Sequence, residues 1–224
     1  AARFSEAGSA LDLTQANATA DLRVMVTEVN ALARSIAQTN QKIAEVVGRG
    51  QPANDLLDER DRLISQLSDK VQVTRMDASD GTTAVFMAGG QRLVLGSTAA
   101  ELSVVQDATD PRRAAVALRE GPLTRVLSET EMGGGGITGL LRFQNQDLVA
   151  GRNLIGQLAA AIGGAVNTQQ MRGVNLQPPL GSVPSSALFG IGAPEALANT
   201  ANARDGAGNL MASIQLTVGD PAAL

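Results

Sequence analysis

A regular spacing of apolar residues runs from Leu11 to Val46. Steps of four and three residues give eleven positions, nine of them apolar: Leu11, Gln15, Ala18, Leu22, Met25, Val29, Leu32, Ile36, Thr39, Ile43 and Val46. A 3.5-residue period sustained over about five heptads is typical of a long helix packed nearly parallel to other helices. Gly48 and Gly50, followed by Pro52, should end this helix. The pattern therefore predicts one long helix in a bundle.

A second, shorter helix is expected after this break. Its apolar face consists of Leu56, Leu63 and Leu67, with Ile64 beside them. Asn54 or Asp55 should cap its N-terminus, because their side chains can accept hydrogen bonds from the free N–H groups of the first turn. The acidic residues Asp55, Asp58 and Glu59 near its start and Lys70 near its end suit the helix dipole. The short Gly/Pro break predicts an antiparallel helical hairpin.

The hydrophobic pattern changes at residue 71. Short apolar runs at 71–73, 84–87, 93–95, 102–105 and 114–118 alternate with turn residues such as Asp80-Gly81, Gly89-Gly90 and Gly121-Pro122. Runs that recur about every ten residues indicate antiparallel strands joined by tight turns. We predict a β module of about five or six strands, ending at the glycine run 133–136.

The four-and-three spacing returns after the glycine run. It passes through Ile137, Leu141, Gln144, Leu148, Gly151, Ile155, Leu158, Ile162, Ala165 and Gln169. Glycines within this stretch each cost a helix about 1 kcal/mol relative to alanine, so we expect them to permit a close approach of neighbouring backbone. The helix should end near Gly173, a Gly/Pro loop should follow, and residues 210–218 alternate like a strand.

Together these patterns predict the fold class α+β. We expect an elongated antiparallel helical bundle with an inserted antiparallel β module and a further β-rich outer domain. Residues 1–70 and 129–175 should form the bundle, 71–128 the β module, and 176–224 the start of the outer domain.

Composition excludes several kinds of functional site. The chain has no Cys and no His, which excludes Cys/His zinc sites, thiol nucleophiles and Ser-His triads. The net charge is −4 and no basic cluster exceeds the pair Arg112-Arg113, so neither nucleic acid nor an acidic membrane is an expected partner. We expect no membrane span and no cleaved signal peptide. The abrupt start and finish suggest a piece trimmed from a longer protein.

Three short motifs have ordinary structural explanations. Gly134, Gly136 and Gly139 spell G-x-G-x-x-G, but polar residues precede them and no acidic residue follows about 20 positions on, so we interpret them as a linker. The acidic group at 55–61 is interpreted as a solvated helix face on which Asp58 pairs with Arg62. The segment 77–81 lacks calcium-loop spacing and should be a hairpin turn. We therefore predict no enzyme, no catalytic or metal-binding residue and no cofactor.

Several stretches between residues 54 and 189 resemble one family in the correct order. They include Asn54-Asp55-Leu56-Leu57-Asp58-Glu59-Arg60-Asp61-Arg62-Leu63, Gly89-Gly90-Gln91-Arg92-Leu93-Val94-Leu95-Gly96, Gly139-Leu140-Leu141-Arg142-Phe143 and Leu188-Phe189. The family is that of the first flagellar hook-associated protein, the hook–filament junction protein. The element at 56–61 is the most specific.

The resemblance implies a structural component of the bacterial flagellum, without enzymatic activity, at the junction between hook and filament. It also implies an extracellular protein exported by the flagellar type III apparatus. The implied partners are further copies of the same protein in a ring, the hook protein, the adjacent hook-associated junction protein and an export chaperone that binds the C-terminus. Two alternatives remain open. One is an extracellular helical-bundle ligand-binding or sensory module, and the other is an adhesin or phage-tail stalk.

Overall fold

The computed structural model describes residues 2–107, 110, 112–173 and 187–192, and the backbone of 195–197 and 215–217. It divides into two compact units. The first unit comprises residues 17–107 and 111–144, and the second unit comprises residues 1–16, 108–110 and 145–224. Among the described residues, no helix has both the length and the hydropathy needed to cross a membrane.

The predicted long helix is confirmed as α1, Ala2–Gly48, which begins nine residues before the apolar stripe. At 1.5 Å per residue, its 47 residues span about 70 Å. Most of the stripe is buried within the first unit, including Leu22, Val29, Ile36 and Ile43. Regular spacing of large apolar side chains therefore identified the buried face of α1.

The second helix, α2 (Asn54–Lys70), confirms the predicted hairpin. The Lys70 ammonium lies 2.7 Å from the carboxylate of Glu28, so α2 runs back along α1. The predicted side-chain cap is wrong, because the N-cap position is Ala53 and no side chain caps it. Its carbonyl instead accepts the N–H groups of Leu56 and Leu57, and Asn54 already lies inside the helix.

Two antiparallel sheets follow α2. The first has the order β1 (Val73–Asp77), β2 (Thr83–Met87), β3 (Arg92–Leu95) and β4 (Thr98–Ala99). The second has the order β5 (Glu101–Gln106), β6 (Ala114–Glu120) and β7 (Leu123–Leu127). The antiparallel prediction is confirmed. The described part of this segment nevertheless holds seven strands rather than five or six, since β4 and β7 lack an apolar run.

The core of the first unit lies between α1, α2 and the inner faces of both sheets. The cluster contains members from every layer: Val29 and Ile36 of α1, Leu67 of α2, Val85 and Val94 of the first sheet, and Leu102 and Val116 of the second sheet. Ile137 and Leu141 add the helix that follows the sheets. Both sheets are thus anchored to the same pair of long helices.

The helical stretch after the sheets has four parts. A short helix α3 (Glu129–Met132) precedes α4 (Gly136–Arg142), a π-helical segment (Phe143–Asp147) and α5 (Leu148–Met171). The predicted stripe is buried as far as Leu148, but beyond it the prediction is wrong. The buried residues Gly156, Ala159 and Gly163 each lie one position after the predicted residue. The offset begins after Leu148, within α5 and beyond the π-helical segment.

In the second unit, the neighbours of the α5 glycines are side chains rather than the expected backbone. A side chain added at Gly163 would lie 3.4 Å from the Ile191 side chain, an ordinary van der Waals distance. A two-stranded antiparallel sheet pairs β8 (Glu195–Leu197) with β9 (Gln215–Thr217). The Gly/Pro loop and most of the predicted outer domain at 176–224 lie outside the described residues, and the domain limits stay a prediction.

Candidate functional site

The motifs considered above lie in ordinary structural positions. Helix α3 separates β7 from the glycines of G-x-G-x-x-G, so no strand precedes them directly. Gly134 lies in the connection before α4, as the linker interpretation expects, whereas Gly136 and Gly139 lie within that helix. Gly135 has φ 95°, and a side chain there would come within 2.7 Å of the Lys70 carbonyl group. The described residues contain no group of three or more acidic side chains that could hold a metal ion.

The acidic face of α2 is paired differently from the prediction. Arg62 donates to both carboxylate oxygens of Glu59, at 2.6 and 3.0 Å, and the predicted Asp58–Arg62 pair is wrong. These hydrogen bonds lower the pKa of Glu59. Because one guanidinium can bind a carboxylate through two parallel bonds, the i,i+3 partner satisfies Arg62 and leaves Asp58 exposed.

The predicted hairpin turn between β1 and β2 is confirmed. Both the hydroxyl and the backbone N–H of Thr82 donate to one carboxylate oxygen of Asp80, at 2.7 and 2.9 Å. These hydrogen bonds lower the pKa of Asp80. Arg60, buried on α2, reaches the same turn and donates to the Gly81 carbonyl at 2.8 Å. The turn is therefore fixed to α2.

The most distinctive polar feature is a set of buried amide side chains that join helices to strands. On α1, Asn30 donates to the Leu102 carbonyl at 2.7 Å and accepts from the Leu102 N–H at 2.8 Å. Leu102 lies in β5, whose other side pairs with β6. The Asn30 amide therefore occupies the edge where a further strand would pair.

Asn40 of α1 makes the same kind of contact with the first sheet. It donates to the Thr83 carbonyl at 2.8 Å and accepts from the Thr83 N–H at 3.1 Å. A second donation reaches the Gly96 carbonyl at 2.9 Å. The pairing of β2 with β3 reaches only to Val85 and Val94 and does not include Thr83. The Asn40 side chain therefore bridges Thr83 and Gly96, which lie just beyond the paired residues.

Gln144, in the π-helical segment, repeats the arrangement at the start of β6. Its amide donates to the Ala114 carbonyl at 2.8 Å and accepts from the Ala114 N–H at 3.1 Å. On this side β7 has already ended, because its last pair is Leu127 with Val116. We call these three contacts, Asn30–Leu102, Asn40–Thr83 and Gln144–Ala114, the amide clasps.

The amide clasps fix both sheets of the first unit to helices at defined positions. Each satisfies one buried backbone donor and one acceptor, which would cost about 1–3 kcal/mol if left without a partner. The hydrogen bonds of a clasp form in only one orientation and with one backbone residue, whereas apolar side chains can pack in several arrangements. A clasp therefore resists sliding of a sheet along its helix. Such contacts suit a stiff scaffold.

Sequence reasoning assigned no contact to any of the three clasp residues. Gln144 stood out only as a polar position within an apolar stripe, and Asn30 and Asn40 each follow directly after a stripe residue. The available signal was a polar amide side chain on the buried face of a helix. The partners of Asn30 and Asn40 lie 72 and 43 residues away in the sequence, so residue spacing could not identify them.

Comparisons with known proteins agree on one family. A family model described as the flagellar hook-associated protein FlgK helical domain matches residues 1–185. Flagellar hook-associated protein 1 of Escherichia coli (strain K12) is 38% identical over 183 residues, which cover 80% of this chain and 33% of that protein. The corresponding Salmonella typhimurium protein is 38% identical over 181 residues, covering 80% and 32%. The chain thus spans about a third of the length of the curated relatives it matches.

A solved structure gives the same result. The structure of the flagellar hook junction protein FlgK from Burkholderia pseudomallei matches with a TM-score of 0.79 at 30% sequence identity. The match covers 91% of this chain and 36% of that one. With the family model covering residues 1–185, the chain belongs to the family of the flagellar hook-associated protein FlgK.

Proposed function

We propose that this chain is a structural, non-enzymatic part of the junction between the flagellar hook and filament. The observation that carries the proposal is the family match over residues 1–185, supported by the similarity to the Burkholderia hook junction protein. The same match favours this function over a ligand-binding or sensory module and over an adhesin or phage-tail stalk.

The first unit suits a mechanical role. Helix α1 is continuous for 47 residues, and the amide clasps at Asn30 and Asn40 hold one sheet each against it. Load applied to either sheet would pass directly into the helix, because the hydrogen bonds resist sliding and the apolar core resists separation. A junction between two polymers of different shape needs a rigid part that transmits load in this way.

The proposed partners follow from the family. In the complete protein, copies of this chain would assemble into a ring and contact the hook protein on one side and the adjacent hook-associated junction protein on the other. The protein would be extracellular, exported by the flagellar type III apparatus without a cleaved signal peptide and with the help of an export chaperone.

A chimera tests the proposal. In an E. coli strain without hook-associated protein 1, that protein is restored with its matched stretch replaced by residues 1–185 of this chain. We expect swimming in soft agar and filaments attached to hooks in electron micrographs. The E. coli protein with the stretch deleted is the control and should leave cells non-motile. Export of the intact chimera into the medium with hooks still bare would contradict the proposal.

A further inference from the structure

A cavity of about 330 Å³ opens at one end of the second sheet of the first unit. Residues from α1, from the end of β5 and from the segment leading into β6 line it. They are Thr19, Arg23, Val104, Val105, Gln106, Arg112, Arg113 and Ala114. Three of these eight residues are arginines and none is acidic.

The arginines surround the cavity from two sides. Arg23 projects from α1 and is exposed, and its guanidinium makes no hydrogen bond or ion pair with the described residues. Arg112 is exposed and Arg113 is buried, and both interact with neighbouring residues as well. Beside the cavity, the Asp107 N–H donates to the Arg113 carbonyl at 3.0 Å, which continues the pairing of β5 with β6 by one residue on each strand. The cavity therefore combines converging positive charge with a fixed backbone frame.

The lining fits a carboxylate on a short aliphatic stem. Guanidinium groups bind carboxylates through paired, charge-assisted hydrogen bonds, and a guanidinium with five N–H donors can serve an internal and an external partner together. Thr19 and Gln106 supply neutral donors, and Val104 and Val105 supply apolar walls. The cavity therefore has the chemistry to take an aspartate or glutamate side chain.

Acidic residues that lack partners lie elsewhere in the same unit. Asp55 and Asp58, near the start of α2, are exposed, and their carboxylates make no hydrogen bond or ion pair within the described part of the chain. The Lys70–Glu28 contact fixes how α2 lies against α1. It places Asp58 beside the segment of α1 near Asn40, roughly 25 Å along the helix from Arg23. This distance is far beyond the reach of an arginine side chain within one copy.

We propose that the Arg23–Arg112–Arg113 cavity receives Asp55 and Asp58 of a second copy of this chain. This proposal rests on the self-assembly included in the proposed function and names its contact. Since the two surfaces differ and lie apart, the contact is head-to-tail, the kind that repeats around a ring. Opposite charges at such an interface speed association and fix its register.

Reciprocal charge reversal in the 224-residue chain tests the contact. Arg23→Glu and Asp58→Arg should each weaken self-association about tenfold in sedimentation velocity at low salt, because each places like charges together. Mixed in equal amounts, the two variants should associate nearly as well as the wild type, since the reversed cavity then meets the reversed helix. Arg34→Glu makes the same charge change at another exposed arginine of α1 and should have less than about a twofold effect.

Three results would overturn the contact: a mixture as weak as either variant alone, an equal loss with Arg34→Glu, or a wild type that stays monomeric up to about 1 mM. The chimera distinguishes this failure from failure of the proposed function. If filaments attach to hooks while self-association shows no dependence on Arg23, only the contact is wrong. If hooks remain bare while the reciprocal mixture restores association, only the junction function is wrong.

Discussion

Helices α1 and α5 bury different kinds of side chain. Helix α1 buries large aliphatic residues, of which Val29 and Ile36 are 0% exposed. Helix α5 buries Gly156, Ala159 and Gly163, while its larger residues Leu154 and Leu158 are 67% and 55% exposed. A face of small residues brings backbones close together but removes little apolar area from water. We infer that the burial of α1 contributes much more to stability, per residue, than the burial of α5.

A pair of isoleucine substitutions should give the largest difference between the two helices. Ile36→Ala removes a fully buried side chain and should lower the free energy of unfolding by about 2–5 kcal/mol. Ile162→Ala, the same change at a position 46% exposed on α5, should cost less than about 1 kcal/mol. Urea unfolding followed by circular dichroism measures both. Equal losses would show that α5 buries its large residues after all.

The buried asparagines of the two helices allow a second comparison. Asn30→Ala leaves the Leu102 N–H and carbonyl buried without partners and should cost about 2 kcal/mol. Asn167 of α5 also bonds backbone, accepting from the N–H groups of Leu188 and Phe189. Because Leu188 is 63% exposed and Phe189 is only half-buried, water can replace the lost bonds, and Asn167→Ala should cost less than about 1 kcal/mol.

Hydrogen exchange identifies the group responsible for the Asn30 effect. The Leu102 amide should lose protection in Asn30→Ala, while the amides of β6 keep theirs because the pairing of β5 with β6 is intact. An unchanged Leu102 exchange rate, or an equally large loss of stability for Asn167→Ala, would argue against the clasp as the source of the difference.

The contrast between α1 and α5 also explains what the sequence could predict. In α1, large apolar residues occur mainly on one face, so their spacing gave the buried positions correctly. In α5, apolar residues lie on several faces, and spacing alone could not select the buried one. The buried face of α5 is instead made of the small residues Gly156, Ala159 and Gly163, which lie one position after the predicted apolar residues.

The amide clasps show a second limit. Local spacing identified helices and most strands, because periodicity depends on neighbouring residues. The partners of Asn30 and Asn40 depend on where the ends of strands come to lie after folding. Strand β7 was missed for a related reason, since four of its five residues are exposed and its stability comes from pairing with β6.

Two glycines near the start of α4, Gly135 and Gly139, should respond in opposite ways to substitution by alanine, because only Gly135 lies against neighbouring backbone. Gly135→Ala combines a positive φ with a clash against the Lys70 carbonyl group and should cost about 1–3 kcal/mol. Gly139→Ala meets nothing within 4 Å in a helix and should stabilise by about 0.5–1 kcal/mol. Thermal unfolding of both variants measures the difference. A stabilising Gly135→Ala would contradict the assigned close approach.

The smallest expected effect concerns how the helices begin. At the start of α3 the backbone N–H and the hydroxyl of Ser128 both donate to the Glu131 carboxylate, at 2.8 and 2.9 Å, whereas α5 has no side-chain cap. Burial tends to raise the pKa of Glu131, but the hydrogen bonds from Ser128 and Arg125 outweigh it, so the pKa lies below its ordinary value of 4.5. The ionised carboxylate therefore stabilises the folded state.

Glu131→Gln should lower the free energy of unfolding by about 0.5–1 kcal/mol at pH 7. Because the folded pKa lies below the unfolded one, the wild-type advantage is complete above pH 4.5 and disappears as the pH falls through the lowered value. Urea unfolding at several pH values measures this, with Asp21→Asn as a control that removes an exposed carboxylate making no hydrogen bond or ion pair among the described residues. A Glu131→Gln difference that stays constant down to about pH 2 would mean that the amide caps α3 differently rather than that a charge is lost. A difference that grows at acidic pH would reverse the assigned pKa direction, because only a carboxylate with a raised pKa stabilises the fold more when protonated.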